Sequence, residues 1–252
     1  MKNINLMVTV GICLFSITTG KTQDMDYAQR LYDSAKEDLD SLGLGAGVSY
    51  MPYFNKIKHS ADMGYVEAIA YFGCELTKSG YSMLKRDVAK GEKYLNNALA
   101  KNSTHAMICM AYHLYHEGKI FECIEWLNTA YTLGDYRAAT DLGYLFRTGK
   151  LTNHTHAEPK FEKYGENNDL KSALFYMKEA AEKGQANAEI MLSHWYYVGI
   201  PGYVSINKAK AKQLLVSALK EKDVAAHPWS TRKAEHVIDD IYGVGWEEKF
   251  GL

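Results

Sequence analysis

The sequence predicts an all-α protein, a right-handed α-α superhelix of about four to five helix-turn-helix repeats with helical end caps. Two observations lead to this prediction: a ten-residue pattern occurs four times, and a second helical pattern follows each copy. Composition agrees, because only four prolines occur in 252 residues and alanine and leucine recur at helical spacing. The apolar fraction of 47% is enough to fill a core.

The first twenty residues differ from the rest of the chain and predict a secretory signal peptide. Lys2 is their only charge, an apolar run extends from Leu6 to Ile17, and small residues follow up to Gly20. A basic start, a short apolar centre and small residues before the cut are typical of export signals. We expect cleavage near residue 20, a periplasmic or secreted protein, and a formal charge that falls from −1 to −2 with the loss of Lys2. The alternative is an uncleaved membrane anchor.

Each copy of the first pattern has alanine at its fifth place, a large apolar residue at its ninth and a small residue at its tenth. The fifth-place alanines, which we call the repeat alanines, are Ala68, Ala106, Ala138 and Ala188. In the second helix an aromatic residue or leucine precedes an alanine by four positions, as in Tyr94–Ala98, Trp126–Ala130, Tyr176–Ala180 and Leu214–Ala218. Helices that cross closely need small side chains at the contact, and one such hairpin must stack on others to bury its apolar face.

This register divides the chain into four segments. We expect a signal peptide in residues 1–20, an N-terminal cap and half repeat in 21–63, helix-pair repeats in 64–220, and a C-terminal cap in 221–252. A polar insert at residues 150–168 interrupts the third repeat. Loops of this length are uncommon without a role, so the insert is either a partner contact or a surface excursion.

The repeat resembles the Sel-one-like repeat family. The closest match is A-T-D-L-G-Y-L-F-R-T-G from Ala139 to Gly149, followed by K-S-A-L-F-Y-M-K-E-A-A-E-K-G from Lys171 to Gly184. The resemblance covers about residues 50–220 and implies an α-solenoid that binds other proteins. The second repeat departs from the pattern, because its short connection is more like that of a tetratricopeptide repeat.

We found no constellation of residues that would support catalysis, so we expect a protein that is not an enzyme and has no catalytic residue, metal or cofactor. There is no G-x-S-x-G elbow and no phosphate-binding glycine loop. His113 with His116, and His154 with His156, form pairs that lack a third metal ligand at a standard spacing. Basic and acidic residues interleave, which disfavours nucleic acid as a partner.

Three cysteines remain after the signal peptide: Cys74, Cys109 and Cys123. An oxidising compartment allows disulfides, but an odd count leaves at least one thiol unpaired. We expect the cysteines to be small buried side chains.

Tyrosine, histidine and arginine recur where the first helices of the last three repeats should line a concave surface. Related helix-pair solenoids place offsets 6, 9 and 10 from the repeat alanine on that surface. The predicted partner-binding residues are Tyr112, Tyr115, His116, Tyr144, Arg147, His194 and Tyr197. Tyrosine and arginine contribute much of the binding energy at protein interfaces. The alternative is that the tyrosines only shield the interior of the superhelix.

The sequence and the resemblance together predict an exported, non-catalytic protein–protein interaction module whose partner is another protein. The resemblance also extends to immunity proteins that neutralise secreted antibacterial effectors, such as type VI secretion phospholipases. The alternatives are an envelope scaffold or signalling regulator, a eukaryotic lumenal adaptor with sequons at Asn102 and Asn153, and a hydrolase with a non-standard site. We expect no stable membrane insertion after signal cleavage, and the sequence leaves the oligomeric state open.

Overall fold

The computed structural model describes residues 22–39, 49–78, 84–148, 169–220, 223–227, 230–233, 238–239 and 242–251. The predicted signal peptide and the insert at 150–168 lie outside the described residues. The chain divides into two compact units, Met1–Ser103 and Thr104–Leu252.

The described part of the first unit is helical. Its described helices are α1 (22–39), α2 (Met51–Asp62), α3 (Val66–Thr77) and α4 (Val88–Leu99). Helix α3 packs against both α2 and α4. The buried Ser60 hydroxyl of α2 donates to the Ala28 carbonyl of α1 at 2.6 Å, so a helical cap covers the half repeat at this end.

The second unit continues the helix pairs and ends in a mixed segment. Its helices are α5 (Thr104–His116), α6 (Ile120–Thr132), α7 (Tyr136–Thr148), α8 (Leu170–Glu182), α9 (Ala186–Val198) and α10 (Lys208–Ala218). Each of these helices packs against the next one along the chain. Strands β1 (Asp223–His227) and β2 (Ser230–Lys233) then pair antiparallel, and a short helix α11 (Trp246–Phe250) follows.

The predicted fold class is confirmed, with one addition. The antiparallel ribbon of β1 and β2 lies in the segment predicted to be a helical C-terminal cap. Strands of five and four residues are too short to give a clear period-two signal in the sequence, which is why the ribbon was not predicted.

All the repeat alanines are completely buried, which agrees with the repeat register. The buried set is Ala68, Ala106, Ala138 and Ala188 in the first helices, with Ala98, Ala130, Ala180 and Ala218 in the second helices. The tenth-place residue marks the closest approach of a pair. A Cβ built on Gly143 would lie 2.7 Å from Met177 Cγ and 3.2 Å from the Ala173 carbonyl oxygen. Helices α7 and α8 therefore meet where only glycine fits.

Acidic or amide side chains start three of the second helices. Asp87, Asp169 and Asn207 precede α4, α8 and α10, and each accepts a hydrogen bond from the backbone amide three residues later, at 2.9–3.1 Å. Such caps satisfy one of the amides that a helix start leaves without an intrahelical partner. The bonds from the Ser172 hydroxyl and amide lower the pKa of Asp169.

Left-handed turns end the second helices. Gly64, Gly134 and Gly184 have φ angles of +97°, +92° and +75°, and Asn102 occupies the equivalent place with φ of +58°. In each case the amide of the next residue donates to a carbonyl five residues back, for example Asp135 to Ala130 at 3.0 Å. Asparagine tolerates this conformation better than other residues with side chains, which explains its place in the series.

Enlarging a repeat alanine should overpack the crossing of two helices. We expect Ala138→Leu and Ala188→Leu each to lower the free energy of unfolding by roughly 1–3 kcal/mol, as measured by denaturant titration. Ala209→Leu on the exposed side of α10 is the matched control and should change stability by less than about 0.5 kcal/mol. Equal stability of all three variants would show that the register is wrong.

The turn at Gly134 gives a second test, because a Cβ there would have no atom within 4 Å and only the backbone opposes a side chain. We expect Gly134→Val to destabilise the protein by about 1–2 kcal/mol. Gly134→Asn should cost clearly less, since Asn102 already adopts this conformation. Thermal melts of both variants check the order, and a Val variant as stable as the Asn variant would contradict the assigned turn.

Candidate protein-binding surface

The structure divides the seven predicted partner-binding residues into three groups by burial. Tyr112 and Tyr115 are buried, with 3% and 1% of their surface exposed. His116 is exposed at the end of α5, and its ring lies 6.0 Å from that of Tyr115. The half-buried residues are Tyr144, Arg147, His194 and Tyr197.

The two buried tyrosines belong to the interior of the protein. The Tyr112 hydroxyl donates to Asp141 Oδ1 at 2.9 Å, and Asp141 is itself only 5% exposed. This bond connects α5 to α7 and gives the tyrosine hydroxyl a buried acceptor. Both side chains fill the core, so truncating either one should destabilise the fold.

The half-buried residues lie on α7 and α9, the first helices of successive repeats. Arg147 follows Tyr144 by three residues, and Tyr197 follows His194 by three, so each pair shares one face of its helix. Tyr144 packs against the buried cluster that includes Leu192 and Trp195. This burial raises the pKa of the Tyr144 hydroxyl. We call these four residues the inner surface.

Arg147 and His194 influence each other electrostatically. Burial lowers the pKa of His194, and the positive charge of the Arg147 guanidinium lowers it further. Two of their nitrogens, Arg147 Nε and His194 Nδ1, are buried and have no hydrogen-bond partner among the described residues. Because arginine stays charged at all physiological pH, this part of the inner surface combines a fixed cation with a mostly neutral imidazole.

The C-terminal cap borders the inner surface. The Tyr242 ring lies 5.5 Å from that of His194 and 5.6 Å from that of Tyr197, and Phe250 lies 5.2 Å from Tyr197. The Ser193 hydroxyl donates to the Ala211 carbonyl at 2.8 Å, so Tyr242 donates its own proton to Ser193 Oγ at 2.7 Å.

Burial raises the pKa of Tyr242 to about 12, against a smaller opposite effect of the Ser193 bond. The hydroxyl therefore stays protonated at physiological pH and keeps donating to Ser193. Sequence reasoning missed this residue, because nothing near Tyr242 in the chain repeats the helix-pair pattern.

One lysine of α10 adds positive charge beside the inner surface, and a second lies over the neighbouring Tyr196. Lys208 Nζ lies 5.4 Å from the ring centroid of Tyr197, and Lys210 Nζ lies 4.7 Å from that of Tyr196. Both lysines are exposed. Their ammonium groups lie over aromatic rings, an arrangement that stabilises a cation.

Cys123 is a free thiol that the fold keeps unreactive. It is completely buried in α6, and burial together with the charge of Asp141 raises its pKa. A thiol that stays protonated is a poor nucleophile and a poor metal ligand. The expectation that at least one cysteine is unpaired is confirmed.

No helix in the described part of the chain has both the length and the apolarity that crossing a bilayer requires.

Solved structures with a similar fold include Sel1 repeat proteins. A Sel1 repeat protein from Oxalobacter formigenes is 21% identical, with a TM-score of 0.52 over 80% of this chain and 86% of that one. A Sel1 repeat protein from Klebsiella pneumoniae subsp. pneumoniae is 17% identical, with a TM-score of 0.50 over 88% of this chain and 97% of that one. The immunity protein Pa5087 from Pseudomonas aeruginosa is 14% identical, with a TM-score of 0.52 over 78% of this chain and 66% of that one. No family model and no curated protein matches the chain. These likenesses confirm the fold that the Sel-one-like resemblance implies.

The electrostatic link between Arg147 and His194 can be measured in the free protein. We expect the pKa of His194 to lie below its usual value of 6.5 and to rise in Arg147→Gln, because a nearby positive charge is removed. It should stay below 6.5, since burial is the larger cause. Imidazole titration by NMR checks both points, with Lys178→Gln on the exposed side of α8 as a control that removes an equal charge. An unchanged pKa in Arg147→Gln would contradict the described proximity.

Proposed function

We propose that this chain is an exported, non-catalytic protein that binds another protein through the inner surface of Tyr144, Arg147, His194 and Tyr197. One observation carries the proposal: the first helices of two successive repeats present four half-buried side chains, three of which are tyrosine or arginine, the types that often dominate binding energy. Such side chains offer large contact areas while tolerating water in the free protein.

The way these side chains are held favours tight binding. Tyr144 packs against the cluster of Leu192 and Trp195, and Tyr197 is in ring contact with Tyr242 and Phe250. Side chains that are already fixed lose little conformational freedom when a partner arrives, so more of the contact energy appears as affinity. Tyr112 and Tyr115 lie in the core and are not among the proposed contacts.

Within this class we propose an immunity protein that acts in the periplasm or outside the cell. Its partner is a secreted antibacterial effector, for example a type VI secretion phospholipase. Two points support this: the expected export signal at residues 1–20, and the likeness in fold to the immunity protein Pa5087. A role as an envelope scaffold or signalling regulator would use the same surface for a different protein, so the identity of the captured partner distinguishes the two.

The test begins with capture of the partner from an envelope extract and titration of variants against the purified partner. We expect Tyr144→Ala and Arg147→Ala each to weaken binding by about 2 kcal/mol or more if they form the energetic centre of the interface. Lys178→Ala, which alters an exposed residue on a second helix, should bind like the wild type. Circular dichroism melts of all three variants verify that the fold is intact.

Two outcomes would contradict the proposal. Full affinity in Tyr144→Ala and Arg147→Ala, with loss of affinity when residues 150–168 are deleted, would assign the contact to the insert. Turnover of a small substrate by the purified chain, with no protein captured, would identify an enzyme instead.

A further inference from the structure

We infer that the Arg147 and His194 edge of the inner surface recognises a carboxylate, so that the partner presents an acidic side chain there. This inference rests on the proposed function, because it names the chemistry that the partner brings to the same surface. It is carried by the two buried nitrogens that have no partner among the described residues, and by the positive charge of Lys208 over the ring of Tyr197.

The Arg147 Nε–H group is the first part of the argument. It is a permanent donor, buried and without an acceptor among the described residues. Together with a terminal N–H of the same guanidinium it forms the fork that a carboxylate accepts through both oxygens. A neutral hydroxyl or amide oxygen satisfies only one of these two donors.

A second arginine on the same helix shows that the fold pairs such groups where it can. Near the start of α7, Arg137 donates from Nε and a terminal nitrogen to both carboxylate oxygens of Asp135, at 2.9 and 2.6 Å. That pairing lowers the pKa of Asp135 despite its burial. Near the end of the helix, Arg147 makes no ion pair with any described carboxylate. The arrangement at Arg137 is therefore a model, within this chain, for the acceptor that Arg147 lacks.

His194 supplies a second donor at the same place. Its Nδ1 is buried and has no partner among the described residues, and the ring donates from this nitrogen in one neutral tautomer and in the charged form. The groups that face it are Arg147 from α7 and Tyr242 from the C-terminal cap, whose ring also contacts that of Tyr197. A carboxylate that binds here would offset the Arg147 charge and so raise the pKa of His194.

The surroundings favour an anion over a cation. Lys208 lies over Tyr197 at 5.4 Å, so α10 adds an exposed positive charge beside the site. Charges arranged in this way attract an acidic partner at long range and repel a basic one.

The experiment uses two peptide probes that differ only in charge, acetyl-tetraglutamate amide and acetyl-tetraglutamine amide, titrated into the full mature protein. We expect the glutamate peptide, but not the glutamine peptide, to bind and to raise the pKa of His194 as measured by NMR. Arg147→Ala should weaken binding of the glutamate peptide by about tenfold or more. Arg147→Lys should lose less, because it keeps the charge but not the fork.

Lys178→Ala is the matched control, since it removes one exposed positive charge from the neighbouring second helix. An equal loss in Lys178→Ala and Arg147→Ala would overturn the inference, because the peptide would then sense only the overall charge. Equal binding of both peptides, or full binding of the glutamate peptide by Arg147→Ala, would also overturn it.

The captured partner separates this inference from the proposed function. A partner that binds Arg147→Ala and His194→Gln with wild-type affinity, but loses affinity for Tyr144→Ala, would overturn the carboxylate assignment and leave the binding function in place. Failure to capture any protein, with Arg147-dependent binding of the glutamate peptide, would support the carboxylate site and overturn the protein-binding role.

Discussion

The close crossing of paired helices at alanine and glycine is the constraint on which the rest of this structure depends. The repeat alanines have no accessible surface, and at Gly143 even one added carbon would collide with Met177. Small residues at these points fix both the distance between two helices and the face that each turns inward. The positions of Tyr144 and His194, each six residues after a repeat alanine, follow from that geometry.

Much of the fold could be predicted because its determinants are local and repeated. An alanine, a tenth-place small residue and a left-handed turn occur at fixed spacings within each repeat. A repeat whose pattern is ambiguous can therefore be aligned by comparison with the others. Asn102 is an example, because it aligns with the glycines of the other repeats and adopts the same left-handed conformation. The ribbon of β1 and β2 could not be predicted, because it occurs once and its strands are too short to show a period.

The candidate site was predicted less completely, because burial depends on contacts that are distant in sequence. Helical offsets identified Tyr144, Arg147, His194 and Tyr197 as one surface, and the structure leaves these residues accessible. The same offsets selected Tyr112, but its hydroxyl meets Asp141, 29 residues away, and the side chain is drawn into the core. Tyr242 was not predicted for the same reason, since its hydrogen bond to Ser193 spans 49 residues.

The C-terminal cap limits where helix pairs can be added to the array. Ile238, Trp246 and Phe250 cover the apolar side of α9 and α10 that a following repeat would otherwise occupy, so the array has a defined last member. The array can therefore change in length by duplication of whole helix pairs upstream of α9 and α10. The pair of α9 and α10 would then be retained together with its cap. Such a change would alter the number of first helices without disturbing the aromatic contacts that Tyr242 makes with His194 and Tyr197.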